Sequence, residues 1–130
     1  MSKHLLIIDD DDSLRTLLEL YLKKKGFKIS TMKDGMEAMF WLQEGNVPDL
    51  IIADLGMPRL DGFEFLKNCK KSGFFRDIPI IMLTGMDREE VKQKCLDLGA
   101  VTYLVKPFKF DELVEKIYNT IPEEKDYNHV

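Results

Sequence analysis

Five short apolar runs recur along the chain, each followed by polar residues and then by helical spacing. They are Leu5-Leu6-Ile7-Ile8, Phe27 to Thr31, Leu50-Ile51-Ile52-Ala53, Ile78 to Leu83 and Val101 to Val105. Nearly unbroken Ile, Leu and Val over so short a length suits strands buried on both faces, as parallel strands are. Phe27-Lys28-Ile29-Ser30-Thr31 alternates instead, which predicts an edge strand with one wet face. Between the runs, Leu14, Leu17, Leu18 and Tyr21 repeat at i, i+3, i+4 and i+7, the stripe of an amphipathic helix that Gly26 closes. Ala38, Met39 and Leu42 mark a second helix, stopped by Gly45 and Pro48. Phe63, Leu66 and Cys69 or Lys70 mark a third, entered through Asp61-Gly62 and ended near Gly73. Val91, Cys95 and Leu98 mark a fourth, closed by Gly99, and Phe110, Leu113, Val114 and Ile117 the last, ended before Pro122. A strand–helix unit repeated in this way, with right-handed crossovers, predicts an α/β fold of the flavodoxin-like (βα)5 kind. Its five-stranded parallel sheet would run in the order 2-1-3-4-5 with helices on both faces. Residues 1–122 form the predicted domain, and 123–130 read as a polar C-terminal tail.

Length and composition narrow the class. A chain of 130 residues holds one domain with a core and is too short for two. Hydrophobic residues at 45% and charged residues at 32% mark an ordinary globular protein rather than a disordered one. A net charge of −4 argues against a broad nucleic-acid-binding face. The one basic run, Lys23-Lys24-Lys25, falls at a predicted helix end, where cations suit the dipole. Cys69 and Cys95 sit in separate helices with no Cys-x-x-Cys spacing, and they read as free thiols of a reducing compartment. The run Leu5 to Ile8 is too short for a signal peptide, and no apolar stretch reaches membrane-spanning length. A cytoplasmic location is the expectation.

The chemistry gathers where the strands end. In a doubly wound sheet, ligands bind beyond the C-terminal ends of the strands, near the switch in strand order. Asp9, Asp10, Asp11 and Asp12 follow the first run, Asp54 the third, Thr84-Gly85 the fourth and Lys106-Pro107 the fifth. The predicted topology therefore brings acids, a hydroxyl and an ammonium to one edge. Crowded carboxylates repel, by roughly 4 kcal/mol for two unit charges about 4 Å apart at an effective dielectric near 20. Either one of them stays protonated or a cation sits between them. Mg²⁺, or Mn²⁺ in its place, suits such hard oxygen ligands and keeps waters that phosphate oxygens can replace. No His or Cys set of the kind zinc prefers accompanies the acids. The roles follow from charge. Asp54 is the nucleophile able to form an acyl phosphate. Asp10 and Asp54 hold the metal, with Asp9 acting through water. Lys106 supplies a second positive charge, and Thr84 a hydroxyl for a phosphoryl oxygen. Gly56 and Gly85 let backbone groups come close.

In this order and spacing, Asp9-Asp10, Asp54, Met57-Pro58 with Asp61-Gly62, Thr84-Gly85, Gly99-Ala100, Tyr103 and Lys106-Pro107-Phe108 resemble a response-regulator receiver domain of two-component signalling. The likeness covers about residues 4–121. It implies a phosphoryl donor: the phosphohistidine of a sensor histidine kinase or histidine phosphotransfer protein, or a small acyl phosphate. It also implies Mg²⁺ on Asp10, Asp54 and the backbone carbonyl of Gly56, and a cis Lys106-Pro107 bond. It implies a switch as well, in which phosphorylation draws the Thr84 hydroxyl toward the site and Tyr103 turns inward. The face formed by the fourth helix, fifth strand and fifth helix would then change its affinity for an output protein. Such a protein is no enzyme toward other substrates; it catalyses only its own phosphoryl transfer and self-dephosphorylation. Gly56 and Met86 stand where the family varies and tunes phosphoryl lifetime. Neither brings a polar side chain, so self-dephosphorylation with little side-chain assistance is expected. The kinase, the output partner and a phosphorylation-linked homodimer through the same face stay open. No output domain follows residue 122, so action through protein contacts stands beside a place in a longer chain.

Simpler structural roles compete at several positions. Asp11 or Asp12 suits a helix cap, Asp61-Gly62 a turn and helix entry, and Phe108 and Phe110 partial core. Tyr103 alone would be sheet packing. His4 and His129 have no ligand set around them and receive no role. Trp41 is placed on the second helix, away from Asp54, where its fluorescence would report phosphorylation poorly. The functional alternative is an Asp-nucleophile phosphatase resembling the haloacid-dehalogenase type. There the acid after Ile8 would be the nucleophile, and a late acid pair at a strand end, which this sequence lacks, would complete the metal site. A degenerate receiver serving only as a binding module is disfavoured by the joint presence of Asp10, Asp54, Thr84 and Lys106.

Overall fold

The computed structural model describes residues 2–57 and 59–122; the predicted tail and His129 lie outside the described residues. Five strands, β1 (His4–Ile8), β2 (Lys28–Met32), β3 (Leu50–Asp54), β4 (Ile80–Thr84) and β5 (Thr102–Val105), alternate with five helices. These are α1 (Asp12–Lys24), α2 (Gly35–Gln43), α3 (Gly62–Lys71), α4 (Glu89–Asp97) and α5 (Phe110–Thr120). All strand pairs are parallel, in the order β2-β1-β3-β4-β5 that the apolar rhythm predicts.

Two cores, one on each face of the sheet, explain the unbroken apolar runs, because successive side chains of a strand point to opposite faces. Leu6, Ile8, Ile51, Ala53 and Met82 pack with Ala38 and Leu42 of α2, Phe65, Leu66 and Cys69 of α3, and Cys95 of α4. Leu5, Ile7, Leu50, Ile52, Ile81 and Leu83 pack with Leu18 and Leu22 of α1 and Leu113 and Ile117 of α5. The edge strand β2 is only partly covered, as its alternation predicts. Both thiols are free and buried, and burial pushes that of Cys69 up to about 12, out of reactive range.

Local signals set the helix ends. The carboxylates of Asp11, Asp34 and Asp61 accept from Leu14, Glu37 and Glu64 N–H groups and so cap α1, α2 and α3. After α4, Gly99 takes the left-handed φ of 109°.

Several expectations need correction. Leu17 is 54% exposed, because the buried stripe of α1 runs through Leu14, Leu18, Tyr21 and Leu22 and leaves Leu17 roughly a quarter turn away. On α3 the stripe is Gly62, Phe65, Leu66 and Cys69, so Phe65 rather than Phe63 enters the core. The half-buried Phe63 ring packs against the edge of that core and meets the Lys94 ammonium 4.2 Å from its centroid. Strand β4 starts at Ile80 rather than Ile78, since Pro79 has no N–H to give a ladder.

Candidate functional site

Strand register builds the site. Ile8 pairs with Ala53 across β1 and β3, so the next residues, Asp9 and Asp54, leave adjacent strands at one level. Asp54 pairs with Leu83 and Thr84 with Val105, which brings Thr84 and Lys106 to the same rim. Asp9, Asp10 and Asp54 each offer a carboxylate oxygen within 4.8 Å of the others, the one such grouping of acid, His or Cys side chains among the described residues.

The three acids are not equivalent. Asp9 is fully buried; its Oδ1 accepts from Asp11 N–H at 2.9 Å and its Oδ2 from Lys106 Nζ at 2.8 Å. Asp54 is 7% exposed, with Oδ1 3.2 Å from the same ammonium, while Asp10 is exposed. Burial and the Asp9 carboxylate push Asp54 above its ordinary range, against the pull of Lys106. Burial alone would lower Lys106, but the Asp9 hydrogen bond and the Asp54 charge outweigh it and raise its pKa, so the ammonium stays charged. Three carboxylates facing one ammonium leave negative charge in excess.

The remaining predicted residues lie around this centre. Thr84 is fully buried, and its Oγ1 accepts from Met86 N–H at 3.0 Å. Gly56 and Gly85 are exposed, with no atom within 4 Å of where a Cβ would stand, so their backbones are open to an approaching group. The Lys106-Pro107 bond is cis. Tyr103 is half-buried against the core on the α2–α4 side, and the Lys92 ammonium sits 5.6 Å from its ring centroid. Asp10, Asp54, Thr84 and Lys106 are thus gathered at one rim, and Tyr103 stands back from them on β5. Trp41 packs edge-on to His4 with centroids 5.6 Å apart, away from the acids as predicted.

Three contributors escaped the sequence. Arg15 Nη1 donates to Asp9 O at 2.6 Å and steadies the acidic turn. Gly62 starts α3 so close to β3 that a Cβ would stand 2.6 Å from Leu55 Cα and 2.8 Å from Asp54 O. Arg59 pairs with the buried Asp34 across two loops. Contact across loops leaves no periodic signal, although the Asp61-Gly62 turn hinted at the second.

Hard carboxylate oxygens with excess negative charge fit a cation of the Mg²⁺ or Mn²⁺ type. The sequence pattern of the response regulator receiver domain matches residues 5–118. The chain belongs to this family. Its function is that of a receiver domain of two-component response regulators. The "Alkaline phosphatase synthesis transcriptional regulatory protein PhoP" of Bacillus subtilis (strain 168) is 38% identical over 117 residues, 90% of this chain and 48% of that protein. The receiver spans about half the length of such curated relatives. The chemotaxis response regulator CheY4 of Vibrio cholerae superposes with a TM-score of 0.86 at 33% identity, over 92% of this chain and 99% of the other. The receiver domain of sensor histidine kinase PA1611 from Pseudomonas aeruginosa PAO1, described with a magnesium ion coordinated in its active site cleft, superposes at 0.84 and 28% identity. That match covers 95% of this chain and 100% of that one. The family match assigns the receiver to two-component signalling rather than to the dehalogenase-like phosphatases.

Proposed function

We propose that Asp54 is the phospho-acceptor of this receiver and takes its phosphoryl group from a sensor histidine kinase, a histidine phosphotransfer protein or a small acyl phosphate. The observation that carries this reading is the meeting of Asp9, Asp10 and Asp54 within 4.8 Å, with Lys106 Nζ between Asp9 and Asp54. In the transfer, an Asp54 carboxylate oxygen attacks phosphorus and forms the acyl phosphate. The donor's P–N or P–O bond breaks, and its electron pair leaves with the donor. Asp10, Asp54 and the Gly56 carbonyl would hold Mg²⁺, with Asp9 orienting a ligand water. Bound Mg²⁺ supplies neutralising charge for the phosphoryl oxygens. Lys106 moves from bridging two carboxylates to facing the new phosphoryl group. Thr84 trades its Met86 N–H contact for a hydroxyl donated to phosphoryl oxygen, and Gly85 offers its backbone.

The output is a change in packing. Withdrawal of Thr84 toward the phosphoryl group frees space for the half-buried Tyr103, and the face of α4, β5 and α5 changes its fit to an output protein. The receiver unit is assigned to residues 1–122. It acts in the cytoplasm, consistent with the lack of any described helix long and apolar enough to cross a membrane. It turns over no substrate beyond its own phosphoryl group. Since Gly56 and Met86 offer no polar side chain to orient water, that group is long-lived. Intact mass after acetyl phosphate with Mg²⁺ tests the assignment. One phosphoryl addition is expected for the wild type and none for Asp54→Asn, whereas equal labelling of both would place the acceptor elsewhere.

A further inference from the structure

Gly56, whose carbonyl is assigned above to the cation, is exposed, and no atom beyond its chain neighbours lies within 4 Å of where its Cβ would stand. The chain is held on either side of it. Before it, Leu55 N–H donates to Leu83 O at 2.7 Å and the Leu55 side chain is buried. After it, Met57 is buried and Arg59 adopts a left-handed φ of 65°. That conformation is unfavourable for a residue with a Cβ and persists only where the surroundings impose it.

The restraint comes from the β2–α2 loop. Arg59 Nε donates to Asp34 Oδ2 at 3.1 Å, and Nη2 donates to the same oxygen. Asp34 is 4% exposed, and its Oδ1 caps α2 through Glu37 N–H at 2.9 Å. Burial would raise the Asp34 pKa, but the Glu37 N–H and the Arg59 guanidinium reverse the shift and hold the carboxyl below its usual range. The adjacent Gly35 adds a steric contact, since a Cβ there would stand 2.6 Å from Leu60 O. The β3–α3 loop is thus pressed onto the start of α2 and pinned there by one ion pair, three residues past Gly56.

We propose that Asp34 and Arg59 are positioning residues for the phospho-acceptor loop, fixing the Gly56 carbonyl in the direction that a Mg²⁺ held by Asp10 and Asp54 requires. The inference rests on the cation site proposed above. A purely structural ion pair would lower stability alone when broken, whereas a positioning pair also lowers the Mg²⁺ affinity of the folded protein.

Arg59→Gly separates the two roles, because glycine accepts the positive φ freely and sheds the strain as the ion pair is lost. The experiment is calorimetric titration of Mg²⁺ into wild type, Arg59→Gly, Arg59→Lys and Asp34→Asn, with urea unfolding in chelator alongside. Arg59→Gly is expected to unfold at a somewhat lower urea concentration, because the buried Asp34 loses its partner, and in its folded form to bind Mg²⁺ about tenfold more weakly, in the range for loss of a group that orients a metal ligand. Asp34→Asn keeps a capping acceptor but no charge, and it should weaken binding to a similar degree. A double variant carrying Arg59→Gly and Asp34→Asn, titrated alongside, should bind no more weakly than either single one, as a shared interaction requires. Arg59→Lys should recover part of the loss. Wild-type affinity in folded Arg59→Gly overturns the positioning role and leaves the cation site standing. A wild-type protein that takes up no Mg²⁺ overturns both.

Discussion

The two ends of the sheet are built from the same strands yet handle charge in opposite ways. At the N-terminal end, polar groups answer one another: Asp49 accepts from His4 N–H at 2.8 Å, and His4 Nε2 meets Ser30 Oγ at 2.7 Å. Burial and nearby Lys28 lower the His4 pKa, which keeps its ring neutral. At the C-terminal end, three carboxylates face one ammonium, and two of the three are buried. A fold can satisfy its charges, as the first end does. Where it leaves negative charge in excess and desolvated, the missing positive charge points to a ligand.

Substitutions at the two ends sharpen that contrast. The largest effect is expected at Lys106, whose ammonium meets both Asp9 and Asp54. Lys106→Met should slow phosphorylation by acetyl phosphate by about 10²- to 10³-fold, the usual loss for a positioned donor to developing charge, as followed by intact mass over time. A rate within a few-fold of wild type would show that the ammonium serves only the resting acids. Gly62→Ala comes next. Its methyl group meets backbone at Leu55 and Asp54, so urea unfolding should show a loss of about 1–3 kcal/mol, with slower phosphorylation because the strain falls on the acceptor strand.

What the sequence disclosed follows from which contacts leave a periodic trace. Asp9, Asp54, Thr84 and Lys106 were legible because each directly follows an apolar run, and a parallel sheet sends all such ends to one rim. Arg15, Asp34 and Arg59 were not, because their contacts depend on loop paths and side-chain reach rather than on spacing. The buried stripe of α1 was misjudged at Leu17 because that helix carries more leucines than the sheet covers, and on α3 Phe65 lies in the buried stripe while Phe63 packs at its edge.

A subtler effect concerns pH in the absence of metal. Asp54 is held above its ordinary value of 3.8. Between that value and the raised one, the fold binds more protons than the unfolded chain, so the contribution of Asp54 to stability falls as pH rises. Asp54→Asn removes this term. In chelator, its stability relative to wild type should grow through that window and stay higher at neutral pH. A difference independent of pH would mean that Asp54 does not hold its proton in the fold. The smallest effect belongs to the other end. His4→Ala should reduce stability by about 1 kcal/mol, the net worth of a hydrogen bond, and leave Mg²⁺ affinity and phosphorylation unchanged. Altered Mg²⁺ affinity there would break the separation between the two ends.

The central claim is that excess carboxylate charge at the strand tips is matched by a divalent cation, and Mg²⁺ titration of the unphosphorylated protein tests it most directly. The account predicts one Mg²⁺ per chain, bound in the wild type, strongly weakened in Asp10→Asn and Asp54→Asn, and accompanied by a rise in melting temperature that those variants lose. No binding by the folded wild type, or equal binding by all three proteins, would contradict it.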